Sequence, residues 1–135
     1  MTANTTTEAV VAKSALFGVA GWAAENALFG HRYSAVFHGH RVPFLPAYAA
    51  GGLAVMATAP HIESWPLLGR AVAYGLLGTA VEFIGCQIDR KLMDARSWDY
   101  GGSDALAKAT GGCVDWKHGA LWGLLGVVAE KTILK

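Results

Sequence analysis

Four apolar segments dominate the sequence and restrict what it can fold into. They cover residues 14–30, 44–60, 67–88 and 114–129. Each is close to the roughly 17–25 residues that an α-helix needs to cross the hydrocarbon layer of a membrane. Polar residues do not recur every three or four positions along them, as the water-facing side of a soluble bundle would require. The pattern predicts an all-α polytopic membrane protein, a single domain over residues 1–135 with four transmembrane helices in a compact bundle.

The composition agrees with this prediction. Charged residues make up 16% of the chain, whereas about 25% is usual for soluble proteins. The net charge is +1, and no clustered basic face exists that would bind nucleic acid, so we expect no nucleic-acid partner. The expected surrounding is the lipid bilayer, and the expected location is an integral one in the bacterial inner membrane.

The pattern Gly-x-x-Gly-x-x-x-Glu occurs three times, at residues 18–25, 75–82 and 123–130. Its glycines fall on one side of each predicted helix, where small residues let a neighbouring backbone come close within a membrane. The pattern therefore predicts helix contacts that end in a carboxylate. The glycines expected at these contacts are Gly18, Gly21, Gly75, Gly78, Gly85, Gly119 and Gly123.

Two of the three glutamates are expected to share a site. In a four-span bundle the first and third segments run in the same direction, which places Glu25 and Glu82 at similar depth. Glu130 is expected at the opposite face, as a solvated carboxylate. A charge within the hydrocarbon costs roughly 2.5–3.5 kcal/mol on insertion scales, so an intramembrane carboxylate normally has a partner. The Glu25 and Glu82 pair could share a proton, bind a cation or meet a base.

The polar connection over residues 89–112 supplies the other candidates, because binding residues often lie on such segments. The alternative to a binding site is a structural ion-pair network that holds the helix ends together. The pattern His38-Gly-His40 is more often an exposed loop pair than a metal site, so no metal is predicted, and no cofactor can be named. Further candidates for ligand or proton binding are Asp89, Trp98, Asp99 and Tyr100, with His38, His40 and Arg41 as assisting residues and His118 among the partners on the same side.

The distribution of basic residues predicts the orientation. The connections after the first and third segments hold seven Lys and Arg residues, and the other side holds four. The positive-inside rule then places those two connections in the cytoplasm. Cys86 and Cys113 lie on the same side, so a reducing cytoplasm would keep both thiols free.

Several short motifs in order resemble a known family. They are Gly21-Trp22-x-x-Glu25, Pro43-x-x-Pro46-x-Tyr48, Glu82-Phe83-x-Gly85, Trp98-Asp99-Tyr100 and Trp122-Gly123. Together they resemble the ABC-transporter type IV family of bacterial membrane proteins, and a small vertebrate four-span family is similar in the same places. The resemblance implies a multispan helical membrane protein and supports Glu25, Glu82 and the Trp-Asp-Tyr triplet as the residues of interest.

Three functions remain open at this stage. The first is permease-like handling of a proton or a small polar or amphiphilic solute, which for so small a chain predicts a homo-oligomer or a larger membrane complex. The second is an accessory or structural subunit of such a complex. The third is an intramembrane enzyme that acts on a lipid, so whether the chain is an enzyme stays undecided. It has no Gly-x-x-x-x-Gly-Lys-Ser/Thr sequence, so any ATP would be hydrolysed by another chain.

Overall fold

The computed structural model describes residues 3–29, 35–37, 40–42 and 46–133. This part of the chain is mainly helical, as predicted, and each of the four apolar segments lies largely within one long helix, although the first of these helices begins at Ala3, well before residue 14. A short antiparallel hairpin between the first two helices was not predicted; it pairs Ala35 with Val42 and Phe37 with His40. The elements are α1 (Ala3–Phe29), β1 (Ala35–Phe37), β2 (His40–Val42), α2 (Pro46–Ile62), α3 (Leu67–Lys91), α4 (Ala105–Ala109) and α5 (Trp116–Thr132).

The four long helices pack in a bundle in which α2 is central. Helix α1 packs against α2, α2 packs against α3 and α5, and α3 packs against α5. Aromatic residues form much of the buried core, including Phe17, Tyr48, Tyr74 and Trp122. The outward faces carry aliphatic side chains, among them Leu16, Val19, Leu53, Leu76, Ile84 and Leu124. An apolar exterior around an interior with buried polar groups is the pattern expected of a bundle in lipid.

Among the described residues, only helix α3 is both long and apolar enough to cross a membrane by these two criteria. Helices α2 and α5 have 17 residues each, which is at the lower limit for crossing. The prediction of four membrane spans is therefore not confirmed by the helices themselves.

The glycine repeat leaves space for aromatic rings to pack between α3 and α5. A Cβ added to Gly78 would lie 2.2 Å from the Trp122 ring. The same indole donates its Nε1–H to Glu82, at 3.1 Å. The glycine therefore makes room for the ring that binds the glutamate one helical turn later.

The α5 copy repeats this arrangement with the roles of the helices exchanged. A Cβ added to Gly126 would lie 2.5 Å from Tyr74 of α3, and the Tyr74 hydroxyl donates to Glu130 at 2.7 Å. Glu130 also lies 3.4 Å from Arg70. The expectation that Glu130 is a solvated carboxylate is wrong, because the antiparallel packing of α3 against α5 brings Tyr74 and Arg70 to it.

The complete repeat includes the residue before the first glycine, which lies outside the predicted pattern. That residue is aromatic in all three copies, as Phe17, Tyr74 and Trp122. Phe17 of α1 stacks on Trp122 with ring centroids 6.0 Å apart. The pattern aromatic-Gly-x-x-Gly-x-x-x-Glu thus supplies both the rings and the gaps that receive rings.

The other glycines in the repeats also lie at close contacts. Gly18 is buried in α1. A Cβ added to Gly21 would lie 2.7 Å from Tyr48, and one added to Gly85 would lie 3.4 Å from Trp98. Between α3 and α5, a Cβ on Gly75 would lie 2.9 Å from the Gly119 carbonyl oxygen, and one on Gly119 would lie 3.0 Å from Thr79 Oγ1. A Cβ on Gly123 would lie 2.6 Å from the Ala71 carbonyl oxygen. These distances leave little or no room for a side chain at most of the positions.

A disulfide joins Cys86 to Cys113, with Cα atoms 5.6 Å apart. The expectation of two free thiols is therefore wrong. Cys86 lies near the end of α3 and Cys113 shortly before α5, and the packing of these two antiparallel helices brings the residues together. Disulfides persist mainly in oxidising compartments, which bears on the orientation considered below.

We expect Gly78→Leu to destabilise the bundle by roughly 3 kcal/mol, because overpacking forces the Trp122 ring out of its place. Gly69→Ala is the matched control on the same helix, because its Cβ would have no neighbour closer than 3.7 Å. Thermal or denaturant unfolding in mild detergent measures both. If Gly78→Leu unfolds at the same midpoint as Gly69→Ala, this packing of α3 against Trp122 is incorrect.

Candidate functional site

Buried polar side chains gather at the end of the bundle where α1 and α3 end and α5 begins. Glu25, Glu82, Asp115 and His118 are exposed by only 1%, 6%, 3% and 5%. Each lies in an apolar part of the bundle, where an unpaired charge would cost free energy. We refer to the group as the carboxylate–imidazole cluster, and its members are Glu25 of α1, Glu82 of α3, Tyr100 of the connection, and Asp115, His118 and Trp122 at the start of α5.

The His118 imidazole lies between two carboxylates. Its Nδ1 is 2.6 Å from Asp115 Oδ1, and its Nε2 is 2.7 Å from Glu25 Oε1. Asp115 is the N-cap of α5 and also accepts the His118 backbone N–H at 2.9 Å. Because one carboxylate binds both the backbone and the ring, Asp115 fixes the direction in which the imidazole presents Nε2 to Glu25.

Glu82 occupies the other half of the cluster. It accepts hydrogen bonds from the Tyr100 hydroxyl and from Trp122 Nε1. The Tyr100 ring also stacks on the His118 ring, with centroids 4.0 Å apart and planes inclined by 15°. Tyr100 thereby contacts both Glu82 and the imidazole that lies beside Glu25.

The charges of the cluster do not balance. Among the described residues, no ion pair joins a lysine or arginine to Glu25, Glu82 or Asp115. With every group ionised, three carboxylates would face one imidazolium, a net charge of −2. A buried net charge is costly in an apolar surrounding. A bound proton or an incoming cation would relieve this cost.

The comparison with protein families identifies the chain. A family model described as "Putative ABC-transporter type IV" matches residues 14–135. The chain belongs to this family. The match confirms the family that the motifs indicated, and it supports membrane association and a transport-related role in general. No curated protein and no solved structure matches the chain.

In this type IV family protein, two of the residues predicted to bind a ligand or proton lie outside the cluster and stabilise the connection. Asp89 accepts the backbone N–H and the hydroxyl of Ser97, both at 2.7 Å. Asp99 lies 2.6 Å from Arg96 and 3.6 Å from Arg90. Asp99 is therefore paired with two guanidinium groups, and Asp89 is held by hydrogen bonds from Ser97.

Of the Trp98-Asp99-Tyr100 triplet, only Tyr100 reaches the cluster. Trp98 is buried and donates its Nε1–H to the Cys113 carbonyl oxygen at 3.0 Å, beside the disulfide. His40 is exposed in β2 and Arg41 follows it in the same strand, while His38 lies outside the described residues. In the described part of the chain, no three His, Cys, Asp or Glu side chains could hold a metal ion.

Sequence reasoning missed the centre of the site. His118 was one of several partner candidates, and Asp115 and Trp122 were not singled out as binding residues. A signal was present, because Asp115 three residues before His118 at the start of an apolar helix is a pattern typical of an N-cap. The pattern becomes part of a site only through the contact of His118 with Glu25. Glu25 lies 93 positions earlier in the chain, and the packing of the helices brings the two residues together.

We expect Tyr100→Phe to lower the free energy of unfolding by roughly 1–3 kcal/mol, because Glu82 loses a hydrogen-bond donor in a buried position. The change keeps the ring that stacks on His118. Tyr48→Phe is the matched control, because Tyr48 stacks on Trp122 at 5.5 Å and no hydrogen bond of its hydroxyl is described. Equal stability of the two variants in detergent would contradict the role of Tyr100.

Proposed function

We propose that this protein has a permease-like function in which the carboxylate–imidazole cluster binds protons and passes them on across a membrane. The observation that carries the proposal is the buried imidazole of His118 held between Glu25 and Asp115, at 2.7 Å and 2.6 Å. Ionisable residues inside a membrane bundle are costly and typically mark ion or proton pathways. An imidazole accepts a proton at one nitrogen and releases one from the other, which suits this position.

The surroundings of the cluster support a pathway between α1 and α5. At the opposite end of the bundle a groove of about 640 Å³ opens between α1, α2 and α5, lined by Lys13, Met56 and Glu130 among others. The stacked rings of Phe17, Trp122 and Tyr48 lie between the groove and the cluster. In this proposal those rings separate the groove from the cluster, and α1, α2, α3 and α5 are the membrane spans.

The disulfide supports an orientation opposite to the one expected from the basic residues. An oxidised Cys86–Cys113 pair favours an oxidising compartment for the end of the bundle that carries the cluster. The count of seven basic residues against four is a small margin, and one connection is long, where the positive-inside rule is weaker. We therefore place the cluster end outside the cytoplasm and both termini inside.

The two alternatives have less support. The described residues of the site offer an enzyme no nucleophile activated by the imidazole, because Ser103 donates to Asp115 and both ring nitrogens of His118 lie against carboxylates. An accessory subunit would use the same glycine contacts, but this role does not explain why the cluster carries unbalanced buried charges. A chain of this size with one short bundle is still expected to act as a homo-oligomer or within a larger complex.

Proton flux into proteoliposomes tests the function. We expect the purified protein to acidify vesicles that carry a pH-sensitive dye and a potassium-driven membrane potential. Glu25→Gln and Glu82→Gln should each lower that flux at least about tenfold, because each removes a proton-binding carboxylate. Glu130→Gln is the control, because Glu130 has the same place in the repeat but binds Tyr74 and Arg70 outside the cluster. Flux no greater than in protein-free vesicles would reject the proposal in favour of an accessory role.

Thiol labelling of intact cells tests the orientation. Cys86 and Cys113 are buried, with 1% and 0% exposure, so the reporter is a cysteine introduced by Met93→Cys on the connection after α3, where Met93 is 46% exposed. We expect this cysteine to react with a membrane-impermeant maleimide in intact cells. Labelling that requires an opened membrane would place the cluster end in the cytoplasm.

A further inference from the structure

A chain of polar contacts leads from the surface of the connection to the buried glutamate of α1. Ser103 is exposed, and its hydroxyl donates to Asp115 Oδ2 at 3.1 Å. The other oxygen of Asp115 contacts His118 Nδ1 at 2.6 Å, and His118 Nε2 lies 2.7 Å from Glu25. Each step joins atoms within about 3.2 Å, the range of protein hydrogen bonds.

We propose that Ser103 and Asp115 form the inlet through which protons reach His118 and Glu25 from the aqueous side of the connection. This inference rests on the proposed function and adds the route and the side. No step requires a group other than the four side chains and water.

The backbone holds Ser103 in place over Asp115. The Trp116 backbone N–H donates to Asp104 Oδ2 at 2.8 Å, and the Tyr100 N–H donates to the Gly112 carbonyl oxygen at 2.9 Å. The segment from Tyr100 to Asp104 is therefore fastened at both ends to the residues that lead into α5. A hydroxyl on a fastened segment keeps its distance to a buried carboxylate, as a proton relay requires.

The proton balance along this route is simple. Hydronium gives a proton to the Ser103 oxygen and becomes water, while the Ser103 hydroxyl proton passes to Asp115 Oδ2. Rotation of the Asp115 carboxyl group then brings this proton to His118 Nδ1, which accepts it as His118 releases its Nε2 proton to Glu25. One proton enters and one arrives, and no bond other than O–H and N–H changes.

The last step joins His118 Nε2 to Glu25 Oε1, which lie 2.7 Å apart. The other groups that face the imidazole are Asp115 and the Tyr100 ring, and Tyr100 leads to Glu82, so Glu25 receives the proton before Glu82.

The carboxylate of Asp104 lies next to Ser103, at the surface where the inlet begins. The backbone N–H of Ala107, at 2.9 Å, holds the pKa of the Asp104 carboxyl below its ordinary value. Asp104 therefore stays ionised beside Ser103 to lower pH than a free aspartate would, and attracts protons to the opening.

A proton-release experiment tests the inlet. The protein in lipid nanodiscs is exposed to a rapid drop in pH from a photolysed proton donor, and infrared absorption of the glutamic acid carbonyl follows protonation. Glu25→Gln identifies the part of the signal that belongs to Glu25. We expect Ser103→Ala to slow that signal at least about tenfold with an unchanged final amplitude, because an alanine cannot relay a proton. Ser103→Thr, which keeps a hydroxyl, should retain the rate of the unmodified protein.

Ser97→Ala is the matched control. Ser97 lies on the same connection and its hydroxyl binds a carboxylate, Asp89, at 2.7 Å, but not one that contacts His118. A normal rate in Ser103→Ala, or equal slowing in Ser97→Ala, would overturn the inlet and leave the cluster as the proton site. Absence of any glutamic acid signal in the unmodified protein would instead reject the proposed function.

Discussion

The Trp122 side chain is the contact on which the bundle depends, because it touches all the long helices. It extends from α5, stacks on Phe17 of α1 and on Tyr48 of α2, and fits against Gly78 of α3. Its polar edge donates to Glu82. One indole therefore fills the centre of the bundle with apolar surface and stabilises a buried carboxylate at the same time, which a purely aliphatic residue could not do.

The packing of α3 against α5 explains why glutamates recur with the glycines. Each helix presents an aromatic residue to the glycine of the other, and the ring then donates a hydrogen bond to the glutamate one turn further along. At one end this exchange makes a neutralised pair, since Tyr74 and Arg70 both contact Glu130. At the other end, no lysine or arginine among the described residues pairs with Glu25, Glu82 or Asp115, and His118 is the base that contacts Glu25 and Asp115. The same structural unit is thus an anchor at one end, and at the other end it forms the part of the cluster for which we propose proton binding.

The sequence predicted the parts of the fold that depend on local pattern. Segment length and apolarity gave the long helices, and the repeat indicated which faces meet. Glu25 and Glu82 lie at the same end of the bundle because α1 and α3 run in the same direction, and their role as a shared site stays a prediction. The central role of His118 and the partners of Glu130 could not be read, because they depend on side chains that meet across helices far apart in sequence. The disulfide was missed because its prediction followed from an orientation that rested on a margin of three basic residues, seven against four.

The central claim is that the cluster exchanges protons and is not a fixed ion-pair network. Solid-state NMR in lipid bilayers, with ¹³C-labelled glutamate and ¹⁵N-labelled histidine, tests it most directly. The titration should run from about pH 4 to about pH 9, which brackets the ordinary pKa values of carboxyl and imidazole groups. The account predicts that the carboxyl signal of Glu25 or Glu82 moves between its protonated and ionised positions and that the His118 nitrogen signals change with it. Signals of all three residues that stay fixed over this range would contradict the account and identify the cluster as a static network.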